Sequence, residues 1–228
     1  MKILIIAAGD GTRWNNFLGV PKHLAPLCGE RLLDRTVRLL KKFAPSAQVR
    51  VVLEDPRDPA YNCGARNVRA KLDPGNGGAD KFLSSRHLWA KDERTIVLYG
   101  DVFFTEHAIQ TIVAEHGEPW LATGRINGSE ITGTLGGELF AFSILPDAHP
   151  LFDDALAELV EAHRSGHWRA GGWELYRTLC GVDLMDHADH GHFVEVDDWT
   201  EDMDEPRDWD EWCLRWALAR GPKPEVHQ

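Results

Sequence analysis

The stretch Lys2–Gly29 constrains this chain more than any other. It reads KILIIAAGDGTRWNNFLGVPKHLAPLCG: an apolar run, a glycine-rich turn carrying Arg13, then Pro21-Lys22 and a later glycine, Gly29. A short, unbroken run of isoleucine and leucine predicts a strand over Lys2–Ala7 that is buried on both faces, as strands of parallel sheets are. Glycine tolerates positive φ and carries no Cβ, so the turn after this strand lets backbone approach a ligand closely. Two nucleotide fingerprints are excluded. G-x-G-x-x-G fails because position 14 is Trp14, and no G-K-[S/T] follows. What remains is G-x-G-T-R with Lys22 nine residues beyond Arg13. A forked guanidinium and a point-like ammonium suit phosphate oxygens; the plainer alternative is a surface loop with incidental basic residues.

The rest of the chain alternates in the way that builds a parallel sheet. A helix is expected over Arg31–Phe43, where Leu33, Val37 and Leu40 share a face and Pro45 stops the run. A second strand follows at Gln48–Leu53 and a short one at Val68–Leu72. The glycine-rich loop Asp73–Gly78 leads into a helix expected from Ala79 to Trp89. Arg94–Tyr99 is a strand ending in Gly100-Asp101, and Thr105 is the N-cap of a helix reaching His116. Strands are expected at Trp120–Thr123, Gly137–Ile144 and His192–Val196, with a helix at Leu151–Ser165. Residues 166–190 carry no clear period. A last helix, Asp208–Arg220, places Trp209, Trp212, Cys213 and Trp216 on one face, the spacing of core anchors packing on a sheet.

Length and charge narrow the class. With 228 residues the chain suits one sizeable α/β domain, and a net charge of −11 opposes non-specific nucleic-acid binding. The apolar N-terminal run is too short for a signal peptide, and nothing nears the ~18 to 20 apolar residues that span a bilayer. Cys28, Cys63, Cys180 and Cys213 form no C-x-x-C pair. A reduced, cytoplasmic protein, with neither membrane nor nucleic acid as partner, is the expectation.

Open α/β sheets bind ligands at the carboxyl ends of their strands. Three features fall there: the first loop, the glycine run near Asn76, and Asp101. Ile5–Leu33, with AAGDGTRW, PKHLAPLCGE and LLDRTVRLL, resembles the opening signature of the nucleotidyltransferase family that includes sugar-phosphate and choline-phosphate nucleotidylyltransferases and molybdopterin-type enzymes. The resemblance implies a three-layer αβα domain with a mostly parallel, Rossmann-like sheet of the glycosyltransferase-A type. It implies that Ala8–Gly11, with Gly9 and Thr12, wrap the base and phosphates, and that Arg13 contacts the leaving pyrophosphate and Lys22 the α-phosphate or the incoming phosphate. Asn76 and Gly77 would join the nucleotide site, and Gly137 and Glu138 the acceptor pocket. Asp101 matches the family's Mg2+-binding aspartate, a role that suits a hard cation. The late acidic stretch Trp199–Trp209 resembles the family's ending and makes Asp204 the second ligand, with Asp202, Asp197 and Asp198 as competitors.

The whole then implies a Mg2+-dependent nucleotidyltransferase coupling a nucleoside triphosphate to a phosphorylated small molecule, with release of pyrophosphate. Residues 1–221 are expected to form one domain: a triphosphate half (1–116), an acceptor half (117–207) and the final helix (208–220), ahead of a loose tail (222–228). Two other readings compete: a glycosyltransferase of the same fold, which would carry D-x-D after a mid-chain strand where Asp101 is followed by Val102 and Phe103, and a nucleotide-binding module without catalysis. His187, His190 and His192 are read as solvent-facing rather than metal-binding. Trp168, Trp173 and Tyr176 are read as packing residues before a cation–π cage. The base, the acceptor and the oligomeric state stay open.

Overall fold

The computed structural model describes residues 1–9, 11–186 and 188–221. Asp10, His187 and the expected loose tail lie outside the described residues. In chain order the elements are β1 (Lys2–Ile6), β2 (Pro26–Leu27), β3 (Glu30–Arg31), α1 (Leu32–Phe43), β4 (Gln48–Leu53), β5 (Arg66–Arg69), α2 (Asp80–Leu83), β6 (Thr95–Tyr99) and β7 (Val102–Phe103). They continue with α3 (Glu106–Val113), β8 (Trp120–Arg125), β9 (Glu138–Ile144), α4 (His149–Arg164), α5 (Gly172–Cys180), β10 (Phe193–Glu195), β11 (Glu201–Asp202) and α6 (Pro206–Ala219).

Seven strands form one sheet in the order β10-β8-β9-β6-β1-β4-β5. β1 lies parallel between β4 and β6, with Ile6 level with Val52 on one side and Tyr99 on the other. Only β9 runs the other way, antiparallel to β6 and β8. Ile3, Leu4 and Ile5 are wholly buried, as a strand covered on both faces requires. The sheet is therefore the mostly parallel α/β sheet the alternation implies. Its geometry sends the loops after β1 and β6 out at the same edge, side by side.

Three local expectations need correction. The helix expected over Ala79–Trp89 is broken into a 3-10 run at Pro74–Ala79, one α turn at α2 and a second 3-10 turn at Arg86–Leu88. Gly77, at φ 57° and ψ −142°, is outside helical space, and the Ser85 hydroxyl donates back to the Phe82 carbonyl, competing with the helix ladder. The short strand lies at Arg66–Arg69 rather than Val68–Leu72, where it pairs with Arg50–Leu53 of β4. The last helix starts two residues early, because Pro206 fits its first turn and the Asp208 carboxylate accepts from the Glu205 N–H as a capping box.

The tryptophans of α6 are anchors, but not on the main sheet. Trp212 is buried in a second core with Trp14, Ala25, Leu27, Leu32, Phe103 and Met203. Its ring lies 4.6 Å from Phe103 and 5.5 Å from Trp199, and its indole N–H donates to the Trp199 carbonyl. β7 and β11 pair beside it as a short antiparallel ribbon, Val102 with Asp202 and Phe103 with Glu201. This second core joins the glycine loop, through Trp14, to the acidic segment near the C-terminal helix.

Candidate active site

The loop after β1 lines one cavity with Ala8, Gly9, Gly11, Thr12 and Arg13; Lys22, Lys81, Tyr99, Asp101 and Asp204 complete it. Gly9 and Gly11 have φ of 134° and 54°, so the loop's course needs glycine at both positions. Trp14, at the position that breaks the dinucleotide fingerprint, is buried and donates to the Val20 carbonyl at 2.8 Å, clamping the loop from below. Lys22 follows Pro21 on a 3-10 turn whose backbone returns the chain to the same cavity.

Asp101 follows β6 directly, and the ribbon delivers its partners. The Met203 N–H donates to the Asp101 carbonyl, and Asp101, Asp202 and Asp204 can each offer one carboxylate oxygen within 4.8 Å of the others. Among the described residues this is the one such group of three or more potential ligands. Asp202 and Asp204 thus both face Asp101. Their competitors are engaged elsewhere: Asp197 accepts from the Ser129 hydroxyl, and Asp198 from the Thr105 hydroxyl and the Thr200 N–H. One oxygen of Asp202, Oδ1, is buried with no hydrogen-bond partner. Three hard oxygen donors, one of them otherwise unsatisfied, fit a divalent cation such as Mg2+.

The positive groups are placed against these carboxylates. Lys22 Nζ contacts Asp101 and lies 2.9 Å from Asp204, and Arg13 reaches Asp204 at 2.5 Å. Burial alone would lower the Lys22 pKa, but Asp101, Asp202 and Asp204 outweigh it and hold the ammonium well above its usual range. Asp101 shows the converse. Burial pushes its pKa up, yet Lys22, Lys81 and His23 pull it below the ordinary carboxylate range. Asp202 is compensated less, by Lys22 alone. Burial, then the charges of Asp101 and Asp204, raise it well above normal. His23 is buried behind Lys22 with its pKa lowered to about 4, so its imidazole is neutral near pH 7.

A second opening adjoins the carboxylates, lined by Thr132–Leu135, Glu138, Glu201, Asp202 and the start of α6. Glu138 faces it from the first position of β9. Burial, reinforced by Glu201 and Asp204, lifts its pKa to about 8. The folded protein therefore holds a proton that the unfolded chain releases above its usual carboxylate pKa, so stability falls as pH rises through that window. Glu138→Gln should flatten the fall in Tm between about pH 5 and pH 8 in the presence of a chelator, and be more stable than the parent at the upper end. A pH profile of Tm identical to the parent's would show that Glu138 titrates normally.

Other expected residues lie elsewhere. Gly137 meets the Ile126 backbone so closely that a Cβ would come within 2.2 Å, and its carbonyl accepts from Trp173; neither opening includes it. Asn76 and Gly77 also stand apart. Asn76 donates to Asp80 and accepts from Arg164, while Gly77 packs on the His163 ring. The residue of that segment that reaches the cavity is Lys81, hidden from a sequence reading that placed it within a longer regular helix. Trp173 stacks on Phe193, and Tyr176 is fully buried with its hydroxyl on the Gly191 carbonyl, so both pack the fold. His190 pairs with Asp186, and His192 stacks on Trp120.

A buried ion pair supports the carboxylates. Arg125, on β8, donates to Glu201 at 3.0 Å and to the Thr200 carbonyl, and the Thr134 hydroxyl donates to the same carboxylate at 2.6 Å. Both charged side chains are almost entirely buried. No local pattern announces this pair, since its members are 76 residues apart.

Residues 3–179 match the MobA-like NTP transferase domain family. The matched span holds Arg13, Lys22 and Asp101 but stops short of Asp202 and Asp204. Two curated relatives align over part of the chain. The bifunctional protein GlmU of Chromobacterium violaceum is 34% identical over 118 residues, 46% of this chain and 23% of the relative. The 2-C-methyl-D-erythritol 4-phosphate cytidylyltransferase of Saccharopolyspora erythraea is 40% identical over 96 residues, 41% of each chain. The alignments thus span less than half of either relative. Among solved structures, the CTP:phosphocholine cytidylyltransferase of Streptococcus pneumoniae superposes with a TM-score of 0.56 at 14% identity, over 95% of this chain and 98% of that one. At that identity the likeness speaks for the fold.

Proposed function

Since the chain belongs to the MobA-like NTP transferase family, we propose that it moves the nucleotidyl group of a nucleoside triphosphate onto a phosphate oxygen of a small phosphorylated acceptor, a sugar-1-phosphate or a phosphocholine-like compound, with release of pyrophosphate. The observation that carries this reading is the meeting of the glycine loop, Arg13 and Lys22 with the Asp101, Asp202 and Asp204 carboxylates in one place. Asp101 and Asp204, with Asp202 beside them, would hold Mg2+, which when bound neutralises phosphate charge and steadies the reacting oxygens.

The remaining work falls to the chain's own groups. The loop backbone at Ala8, Gly9 and Gly11, with Thr12, embraces the triphosphate. Arg13 sits over its β- and γ-phosphates, and Lys22 offsets the charge that builds at the α-phosphorus. A lone pair of the acceptor oxygen forms the new P–O bond as the bond to the β-phosphate oxygen breaks, and the leaving pair departs with pyrophosphate. An acceptor phosphate is already ionised, so no general base is required. Rate enhancement comes from in-line positioning and charge stabilisation. The second opening, walled by Glu138 and Thr132–Leu135, is where the acceptor would enter.

A thermal-shift panel of nucleoside triphosphates with Mg2+, followed by a pyrophosphate-release screen over sugar phosphates and phosphocholine, tests the reading. Stabilisation by at least one triphosphate and Mg2+-dependent pyrophosphate release are expected. Release of a nucleoside diphosphate from a nucleotide sugar would establish the glycosyltransferase reading instead. Binding without turnover on any acceptor would leave a nucleotide-binding module.

A further inference from the structure

The cavity beside Asp101 contains a cation for which the steps above have no task. Lys81 projects from α2 to the cavity wall, where its Nζ lies 4.7 Å from the centre of the Tyr99 ring. Arg13 and Lys22, the other permanent cations of that wall, are engaged by Asp204 and Asp101. Among the described residues Lys81 forms no ion pair with a carboxylate, and its ammonium lies over the π face of Tyr99, a ring that is itself buried. An ammonium brought this close to a cavity and left without an anion is poised for an anionic ligand.

Its position is built rather than incidental. The Gly78 N–H donates to the Arg169 carbonyl, and a Cβ at Gly78 would fall 2.7 Å from the Ala170 carbonyl oxygen, so the backbone before α2 is pressed against the segment leading into α5. The Asp80 carboxylate accepts from the Asp73 N–H and from Asn76, closing the loop on itself. These contacts fix the one helical turn that carries Lys81. Its charge reaches the reaction centre, where it helps hold the Asp101 carboxyl in its ionised form.

We propose that Lys81 binds a phosphate oxygen of substrate in this cavity, as a third cation opposite the metal carboxylates. The inference rests on the nucleotidyltransferase reading and assigns Lys81 within that site. The oxygen belongs either to the triphosphate or to the phosphate of the acceptor; both present the same chemistry to an ammonium.

Calorimetric titration of the full chain separates the possibilities. The probes are the triphosphate that gives the largest thermal shift, inorganic pyrophosphate, and inorganic phosphate added to the triphosphate-loaded protein. Lys81→Gln should weaken at least one of them by about tenfold to a hundredfold, the range expected for loss of one charge-assisted contact. Lys81→Arg should restore most of the affinity, which a purely structural role would not predict. Loss with triphosphate and pyrophosphate assigns the contact to the nucleotide; loss confined to added inorganic phosphate assigns it to the acceptor. Parent-like affinity of Lys81→Gln for every probe overturns the proposal while leaving the enzyme reading intact. A parent protein that binds no triphosphate overturns both.

Discussion

Asp101→Asn is expected to lower pyrophosphate release by about a thousandfold or more while the protein stays folded. The substitution keeps the shape of the side chain and removes its charge from a cavity where three carboxylates converge. It also removes the anion closest to Lys22 and so leaves that ammonium paired with Asp204 alone. The fold is expected to survive the change, because Lys22 keeps Asp204 as a partner. Binding of Mn2+, followed by its paramagnetic signal, should weaken in parallel with turnover. Mg2+-dependent turnover at the parent's rate would remove Asp101 from the proposed chemistry.

The second large effect is on the fold and acts on the site through it. Arg125→Met strands the Glu201 carboxylate in a buried setting, where, among the described residues, Thr134 and the N–H of Asp202 still reach it. Removing one member of a buried ion pair costs about 3–5 kcal/mol. For a chain of this size that corresponds to a drop in Tm of about 6–20 °C. The double variant Arg125→Met with Glu201→Met should recover much of the loss, because no uncompensated charge remains. Activity is expected to fall even where the single variant is folded, since Glu201 is paired to Phe103 in the ribbon that delivers Asp202 and Asp204. A single variant with the parent's Tm would show that the pair adds nothing to stability.

How much of this was legible in the sequence depends on the range over which each feature is encoded. The glycine loop, Arg13, Lys22 and the Gly100-Asp101 strand end are short local patterns, and the structure gathers them at one edge of the sheet. The acidic segment was legible as a region but not residue by residue. Asp197, Asp198, Asp202 and Asp204 look alike on paper; the β7–β11 pairing, to a strand about a hundred positions earlier, selects the last two. Arg125 and Glu201 were invisible for the same reason, because a buried pair between distant strands leaves no periodicity. Lys81 is hidden because the residues after Gly78 carry the pattern of one regular helix. Its interruption at Ser84 and Ser85, both fully buried, confines the helical part to one turn. The tryptophan face of α6 is legible as an anchor from its spacing, yet its partner, a second core under Trp14, is a long-range fact.

The pairing of β7 with β11 also sets an order of events during synthesis. A ribosome releases the glycine loop, Lys22 and Asp101 long before Glu201–Asp204, and proteins generally begin folding from the end made first. Until that later segment emerges, Asp101 has neither acidic neighbour, and Trp14 lacks Met203 and Trp212 against it. A product terminated before Glu201 would carry the cradle and Asp101 without Asp202 and Asp204. The three-carboxylate cluster is thus completed last, when a two-residue ribbon closes.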